Sequence, residues 1–466
     1  MTKKIKSISQ NTFFWFIVIL FSASLFRIFF LNLIEFKADE ALTLFQITNF
    51  YDHPSIIQRG IISGLGVYNF PLFTYLMIIL GFFSKNPQFL SFLIALVNTF
   101  LVALFFLVVK KFFNLTTAIF SSLTLAFLPW GIIFSRKIWA QDLILLFLIP
   151  LFYLLSRVIF DKDRRFSFLI FLILTLLSQL HSSGIFLFVA TLLIFATLRI
   201  KISLRGALLG IIIGAIPTIP FITFQITSVP FCPDCLAFLK YQNTPRVLDF
   251  YNFFRPLQIM GGTGFHFVLG TDYESFAKIL PISKFLIQIL AIQSLFLFLG
   301  ALYILRIRQK YFFLLIYSVI IPTLYFVTKT KAFTHYFVIL IPFLVIIYSL
   351  GFNFLFEISK RLYIKIAVIG VFGFFLATNI IFQLSFNKFL SLKQNVNGDY
   401  GPIFSQTQER VEAVTSQYQN SPSYQKIKTI AYLANSGKVE EARNEIDAFG
   451  FDRELAEKLK TDLNLK

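Results

Sequence analysis

The chain has 466 residues, of which 57% are hydrophobic and only 14% are charged, and its mean hydropathy is +0.76. Soluble domains are about half apolar and about one-quarter charged, so this composition excludes a water-soluble globular protein. Lysine and arginine outnumber aspartate and glutamate by 42 to 23, which gives a formal net charge of +19. Much of this excess lies in short stretches between apolar runs, as in cytoplasmic loops of membrane proteins, so we expect no nucleic-acid partner.

Apolar runs recur along most of the chain. The first run follows a basic start and lacks a small-residue cleavage site, so it is interpreted as a retained helix rather than a signal peptide. A spanning helix needs about 20 apolar residues, or somewhat fewer where polar ends reach the interface. The pattern predicts an all-α fold, a polytopic transmembrane bundle of about eleven spans, at residues 13–34, 89–109, 115–134, 143–160, 166–180, 185–198, 207–226, 282–305, 311–327, 333–356 and 366–384.

A shorter apolar stretch at residues 70–83 decides the topology, because its length is typical of interfacial or re-entrant segments. If it does not cross, the basic clusters all fall on the N-terminal side, which the positive-inside rule assigns to the cytoplasm. These clusters are residues 110–111, 157–165, 199–205, 306–310 and 360–365. We therefore expect a multi-pass plasma-membrane protein with a cytoplasmic N-terminus and an extracytoplasmic C-terminus. The predicted outer loops are residues 35–88, 135–142, 227–281 and 328–332.

The composition changes near residue 393, where polar and charged residues replace the apolar runs. We predict a membrane domain at 1–392 and a soluble tail at 393–466 on the outer face. Within the tail, amphipathic patterns predict helices at 424–436 and 439–449, joined at Gly437, and a third near 453–463.

Two clusters on the predicted outer face carry residues suited to chemistry. Asp39 and Glu40 follow the first span directly, where a carboxylate can deprotonate an acceptor or hold a metal. The alternative is that these acids cap a helix beginning at Ala41. The second cluster is the turn 135–142, where Arg136 and Asp142 alone would indicate only interfacial anchoring; the topology, however, brings Asp142 toward Asp39.

At these residues the chain resembles the GT-C glycosyltransferases, which include the protein O-mannosyltransferases and the aminoarabinose transferases. The resemblance is strongest up to about residue 200 and looser from there to 386. A motif of the Trp-Trp-Asp type, used by oligosaccharyltransferases, is not found, which argues against protein N-glycosylation. The matching features are Arg27, Asp39-Glu40-Ala41, Gly64, Asn69-Phe70-Pro71-Leu72, Pro129, Ser135-Arg136, Asp142, Leu180-His181-Ser182-Ser183-Gly184 and Thr334-His335-Tyr336.

The resemblance implies inverting transfer of a sugar from a polyprenyl-phosphate donor to a lipid, glycan or protein hydroxyl outside the cell. Asp39 would be the general base, because a carboxylate in a partly desolvated cleft has a raised pKa. Glu40 and Asp142 would position the acceptor, and Asp39 with Asp142 would hold any divalent cation (Mg, Mn or Zn). Arg136 would pair with the donor phosphate or orient a carboxylate.

A lipid-phosphate leaving group needs positive charge at the interface. Lys329 and Lys331 lie on the predicted outer side, where no topogenic role explains them, and with His335 and Tyr336 they are candidates for this role. The alternative is that the lysines only extend to lipid headgroups. His181 and Asn69 are further candidates for substrate binding, although a lone histidine at a helix end is more often structural.

The long outer loop contains both cysteines of the chain, Cys232 and Cys235, which on an oxidising face would most simply form a local disulfide. A zinc site would need further ligands. The glycine-rich residues 261–266 are not a phosphate loop, since no Walker lysine follows, and a cover over the active site is favoured instead.

A transporter or lipid flippase is the main alternative function, and a non-catalytic assembly factor is another. Transporters place ionisable groups near the bilayer midplane. Here the predicted spans are nearly free of charge apart from Arg27, and the acids and bases gather at one rim. This distribution favours chemistry at the interface.

Overall fold

The computed structural model describes residues 11–63, 67–228, 231–235, 248–306, 309–330, 332–408, 422–451, 453–463 and 465. The described chain is mostly helical, as predicted, and its β pairing consists of three isolated antiparallel bridges. Helices α1 to α21 are, in order, Thr12–Arg27, Ala38–Asp52, Leu72–Gly81, Pro87–Phe112, Leu115–Phe127, Pro129–Ile133, Ile144–Phe160, Ser167–Leu180, Ser183–Thr197, Leu204–Ala215, Ile219–Thr227, Arg255–Met260, His266–Leu269, Tyr273–Ile279, Leu286–Arg306, Phe312–Val327, Ile341–Ile358, Leu362–Lys393, Pro422–Asn435, Val439–Phe449 and Arg453–Asp462. Short 3-10 helices extend several of them, notably Ala140–Leu143 before α7 and Thr334–Leu340 before α17.

Each of the eleven predicted spans contains a helix. In the described chain, six helical segments are long and apolar enough to cross a bilayer, and shorter apolar helices include α1, α5, α9 and α16. The protein is therefore a multi-pass membrane protein. The undecided stretch at 70–83 forms α3, whose ten residues are too few to cross a bilayer. The six long segments are Pro87–Phe112, Ala140–Phe160, Leu204–Thr227, Ser283–Arg306, Thr334–Ile358 and Leu362–Lys393.

The predicted span 115–134 is broken at Pro129 into α5 and α6. Proline has no N–H to donate to the carbonyl four residues earlier, and the residue before it is pushed out of helical geometry. The buried Arg27 guanidinium supplies the missing donors, at 3.0 Å from the carbonyl oxygen of Leu125 and 2.8 Å from that of Ala126. Arg27, a charged residue in the interior of the first predicted span, thus joins α1 to the end of α5.

The helix ends lie at two opposite rims of the helical bundle, the N-terminal rim and the distal rim. On the N-terminal rim, the Lys110 ammonium bonds the Thr12 hydroxyl, and the rings of Phe112 and Phe160 stack at 5.6 Å, so the start of α1 meets the ends of α4 and α7. On the distal rim, the connections after α1, α6 and α8 come together. Lys110 and the basic cluster that follows Phe160 therefore lie on the rim opposite Asp39 and His181, in agreement with the predicted sorting of charge.

Close packing between α15 and α17 depends on two glycines. A Cβ atom on Gly300 would collide with the backbone of Ile347, and one on Gly351 would collide with the backbone of Phe296. Small residues let membrane helices approach closely. Close approach matters because van der Waals packing, rather than the hydrophobic effect, drives helix association in a membrane.

The chain after α18 returns to the first outer loop. The Tyr400 hydroxyl donates to the carbonyl of Leu33 at 2.6 Å, and the Phe404 amide donates to the carbonyl of Ile34 at 2.8 Å. The first part of the predicted tail thus packs against the membrane domain. The three predicted tail helices occur as α19, α20 and α21, and Gly437 has a positive φ of 78° in the first connection.

Candidate active site

Asp39 and Glu40 both lie in the first turn of α2, where carboxylates interact favourably with the positive end of the helix dipole. A Glu40 carboxylate oxygen accepts the Lys37 backbone N–H at 3.0 Å, as in a capping box. The Glu40 side chain is buried, whereas that of Asp39 is half-buried. The two neighbouring acids are therefore held differently, and only Asp39 has access to open space.

A buried ion network supports this turn. The Glu35 carboxylate lies 2.7 Å from the Lys37 ammonium and 2.5 Å from that of Lys137, and Lys37 also pairs with Asp399 at 3.3 Å. Burial alone would lower the pKa of Lys137, but Glu35, Glu40 and Asp142 outweigh it and raise the pKa, so the ammonium stays charged. The network joins the first outer loop, the turn 135–142 and the segment after α18.

The turn 135–142 is built on Asp142. One carboxylate oxygen accepts the backbone N–H groups of Arg136 at 2.7 Å and Lys137 at 2.9 Å, and the Asn98 amide donates to the Asp142 carbonyl at 2.8 Å. Asp142 is fully buried. It shapes the turn and does not line the cavity that Asp39 faces, so its geometry gives no support to the expected role in positioning an acceptor or a cation.

Arg136 is also part of the scaffold. Its guanidinium donates to the carbonyl of Phe26 at 2.8 Å, in the last turn of α1, and to that of Phe29 at 3.0 Å, just beyond it. Its side chain is 2% exposed. Carbonyls at a helix end lack partners within the helix, and a charged donor satisfies them. The expected pairing of Arg136 with a donor phosphate is therefore not supported by its position.

Asp39 opens into a cavity of about 180 Å³ on the distal rim. Five of the ten residues expected to form the site line it together: Asp39, Asn69, His181, His335 and Tyr336. They come from α2, the chain before α3, the α8–α9 connection and the 3-10 helix before α17. Trp139 and Gln141, from the turn 135–142, complete one wall.

The electrostatics of the cavity favour neutral histidine and a basic carboxylate. Burial raises the pKa of Asp39; Lys37 opposes this effect and Glu35 adds to it. Burial lowers the pKa of His181 to about 4, and its Nδ1 accepts the Ser183 backbone N–H at 3.2 Å, which assigns the proton of the neutral ring to Nε2. The His335 Nδ1 is buried and has no hydrogen-bond partner among the described residues.

A short hairpin, in which residues 60–63 pair with residues 67–69, forms one side of the cavity, which we call its roof. The Asn69 backbone and side-chain amides both donate to the Ile61 carbonyl at 3.0 Å, and Ile62 pairs with Tyr68 in an isolated bridge. Gly64, noted in the sequence, lies outside the described residues. Asn69 thus closes the hairpin and also lines the cavity.

The disulfide loop holds this roof in place. Cys232 and Cys235 form the expected disulfide. Between them, the Asp234 carboxylate accepts the Tyr68 backbone N–H at 3.1 Å and the Gln225 amide at 2.7 Å. The cross-linked loop therefore ties the hairpin to the end of α11.

A second cavity of about 600 Å³ lies on the other side of the residues at 334–335. Thr334 lines the larger cavity, and His335 lines the smaller one. The larger cavity contains Arg255, whose guanidinium is 3.2 Å from the Asp249 carboxylate and 3.4 Å from the Thr334 hydroxyl. Residues 263, 264 and 266 of the glycine-rich stretch also line it, so the expected cover borders this cavity rather than the one containing Asp39.

Arg255 was missed by the sequence analysis. The available signal is its position: a basic residue in a long outer loop contravenes the positive-inside rule, as Lys329 does. Lys329 itself is exposed at the end of α16 with a positive φ of 52°, and it lines neither cavity. Lys331 lies outside the described residues.

The expected metal site lacks a suitable set of ligands. Among the described residues, no three His, Cys, Asp or Glu side chains are grouped as a cation would require. One oxygen of Asp142, the second expected ligand, already accepts two backbone N–H groups. The donors around Asp39 therefore do not fit a metal centre, and no step below is routed through one.

Comparison with known proteins gives matches only at the level of structure. No family model matches the chain, and no curated protein matches it. ArnT, an aminoarabinose transferase from Cupriavidus metallidurans solved with bound undecaprenyl phosphate, superposes with a TM-score of 0.54 at 12% identity, over 81% of this chain and 76% of that chain.

A second structural match is the oligosaccharyltransferase of Archaeoglobus fulgidus, solved with a tethered acceptor peptide. Its TM-score is 0.55 at 13% identity, over 90% of this chain and 58% of that chain. The same enzyme with zinc and sulfate gives a TM-score of 0.52 at 16% identity. Both proteins are GT-C glycosyltransferases, and this chain has a GT-C-like fold.

Proposed function

We propose that this protein is a membrane glycosyltransferase that moves a sugar from a polyprenyl-phosphate donor to an acceptor hydroxyl at the distal rim. The observation that carries the proposal is the half-buried Asp39 carboxylate, which opens into a cavity walled by His181, His335 and Tyr336. The bound undecaprenyl phosphate of the structurally similar ArnT supports a donor of this class.

In the proposed reaction, Asp39 acts as the general base. The acceptor oxygen forms a bond to the anomeric carbon of the sugar while the bond from that carbon to the phosphate oxygen breaks. The hydroxyl proton passes to the Asp39 carboxylate, and the polyprenyl phosphate leaves with the bonding electrons. A single displacement of this kind inverts the anomeric configuration. A raised pKa makes Asp39 a better proton acceptor than an ordinary aspartate.

We assign the donor phosphate to the larger cavity. Arg255 is positioned there to stabilise the charge that develops on the leaving oxygen, because a fixed cation in a partly dry site acts more strongly than one in water. His335 lies between this cavity and Asp39, so it is placed to contact the sugar between the two reacting oxygens. Lys329 lines neither cavity, so the proposal gives it no contact with the phosphate, and Lys331, outside the described residues, stays a prediction from the sequence.

The test compares Asp39→Asn with Asp52→Asn. Both changes remove a carboxylate from α2, but Asp52 is an exposed residue that pairs with Lys85 at 3.2 Å, away from the cavity. Full-length protein is reconstituted with a panel of undecaprenyl-phosphate hexoses and pentoses and a cell-envelope fraction as acceptor, and labelled sugar transfer is measured.

We expect Asp39→Asn to lower transfer by about a hundredfold to ten-thousandfold, which is the usual contribution of a general base. Asp52→Asn should retain the wild-type rate, and donor binding should be equal in all three proteins. Unchanged turnover in Asp39→Asn would reject Asp39 as the base. Movement of donor lipid across vesicles without any sugar transfer would favour the transporter instead.

A further inference from the structure

A cavity of about 340 Å³ lies on the N-terminal rim, far from the proposed active site. It is formed by the connection after α7 and the connection between α9 and α10. Four basic side chains line it, and its remaining lining is aliphatic, including Val158 and Leu198. The basic residues are Lys162, Arg164, Arg199 and Lys201.

These four cations differ from three other cations on the same rim that have partners within the described chain. Lys111 bonds the Tyr153 hydroxyl, Arg165 pairs with Asp163 at 2.9 Å, and Arg157 pairs with Asp161 at 2.7 Å. The four side chains that line the cavity have no ion pair, side-chain hydrogen bond or ring contact within the described part of the chain, and no acid lines the cavity. Their charge is therefore uncompensated by the protein.

Backbone geometry adds a second observation. Lys162 and Arg199 have positive φ angles of 56° and 50°, a conformation that favours glycine after a helix end. Here the positions carry long basic side chains despite a cost of order 1 kcal/mol or more for each. The C-terminal ends of the two helices contribute about half a negative charge each. This is too little to balance the four cations, so the cavity keeps a strong net positive charge.

We propose that this cavity binds the phosphate headgroup of an anionic membrane lipid in the leaflet on the N-terminal side. The four cations would contact the phosphate oxygens, and the aliphatic lining would contact the glycerol and upper acyl carbons. Basic pockets between membrane helices suit this class of ligand. A topogenic role alone requires positive charge somewhere on this rim, but it does not require four unpaired cations around one apolar cavity.

The test uses two double variants of full-length protein with equal loss of charge. Arg199→Gln with Lys201→Gln removes two cavity cations, whereas Arg205→Gln with Lys360→Gln removes two exposed cations that do not line the cavity. Phosphatidylglycerol binding is measured by native mass spectrometry and in nanodiscs, with phosphatidylcholine as the neutral comparison and soluble glycerol 3-phosphate as competitor.

We expect the cavity variant to bind phosphatidylglycerol about thirtyfold more weakly, since each basic group near an anionic surface contributes about fivefold. The control variant should bind as the wild type does, and thermal unfolding should be unchanged in both. Equal losses in the two variants, or equal binding of phosphatidylcholine, would overturn the proposal. Displacement by glycerol 3-phosphate at lipid-equivalent concentrations would assign the site to free phosphate and would overturn the lipid assignment. Sugar transfer is not measured, so the outcome is independent of the proposed function.

Discussion

The distal rim contains two neighbouring groups of titratable side chains that are held in opposite ways. In the ion network of Glu35, Lys37 and Lys137, each charge has a partner, and Glu35 and Lys137 are each 3% exposed. In the cavity, the Asp39 carboxylate is half-buried and the His335 Nδ1 lacks a partner among the described residues. Fully paired groups fix the position of the backbone, whereas groups with free hydrogen-bonding capacity remain available to a substrate.

The largest effect expected from this comparison is on stability. Lys137→Met removes a buried cation and leaves the Glu35 carboxylate with Lys37 alone, and loss of one partner of a buried pair costs about 3–5 kcal/mol. We expect a large fall in the thermal unfolding temperature of the purified protein. Lys85→Met is the control, because it breaks an exposed pair whose contribution is about 0–1 kcal/mol. Equal stability of the two variants would show that the network is not a scaffold.

The next effect concerns the pH dependence of stability. Burial, with the neighbouring Glu35 charge, raises the pKa of Glu40 from 4.5 to about 7. Its contribution is complete below pH 4.5, where Glu40 is protonated in both folded and unfolded states, and it is lost as the pH rises through about 7. The difference corresponds to about 3 kcal/mol.

Glu40→Gln should therefore match the wild type at pH 4 and be the more stable protein at pH 8, as measured by thermal unfolding across a pH series. Glutamine retains an oxygen that accepts the Lys37 N–H, so the helix start is preserved. Parallel stability curves for the two proteins would contradict a raised pKa at Glu40.

Much of this arrangement could be predicted from local sequence patterns. Apolar length located a helix in every expected span, the presence of only two cysteines in one outer loop indicated the disulfide, and charge sorting separated the rims. Placing Asp39 and His181 on one rim required only the topology. Local patterns supply this information because helix formation and membrane insertion depend on neighbouring residues.

The structural roles of the buried charged residues could not be predicted from local sequence patterns. Glu35 and Lys137 are 102 residues apart, and their pairing depends on how α1 packs against the later helices. The topology and the GT-C resemblance led us to expect Asp142 and Arg136 beside the substrate. Their side chains instead satisfy backbone groups in the folded turn and at the end of α1, and only the folded geometry determines that orientation.

The smallest expected effect is that of Asp142→Asn, and it distinguishes a structural role for Asp142 from a catalytic role for Asp39. In Asp142→Asn one side-chain oxygen can still accept the backbone N–H groups of Arg136 and Lys137, but the amide nitrogen replaces a buried oxygen that has no hydrogen-bond partner among the described residues. We expect a loss of about 1–2 kcal/mol in stability. Once the protein is assayed well below its unfolding temperature, the decrease in sugar transfer should be less than tenfold, and inorganic cations should not restore it. Asp39→Asn should show the reverse pattern, with unchanged unfolding and lost turnover. A loss of turnover in Asp142→Asn as deep as that of Asp39→Asn, at wild-type stability, would instead place both carboxylates in the reaction.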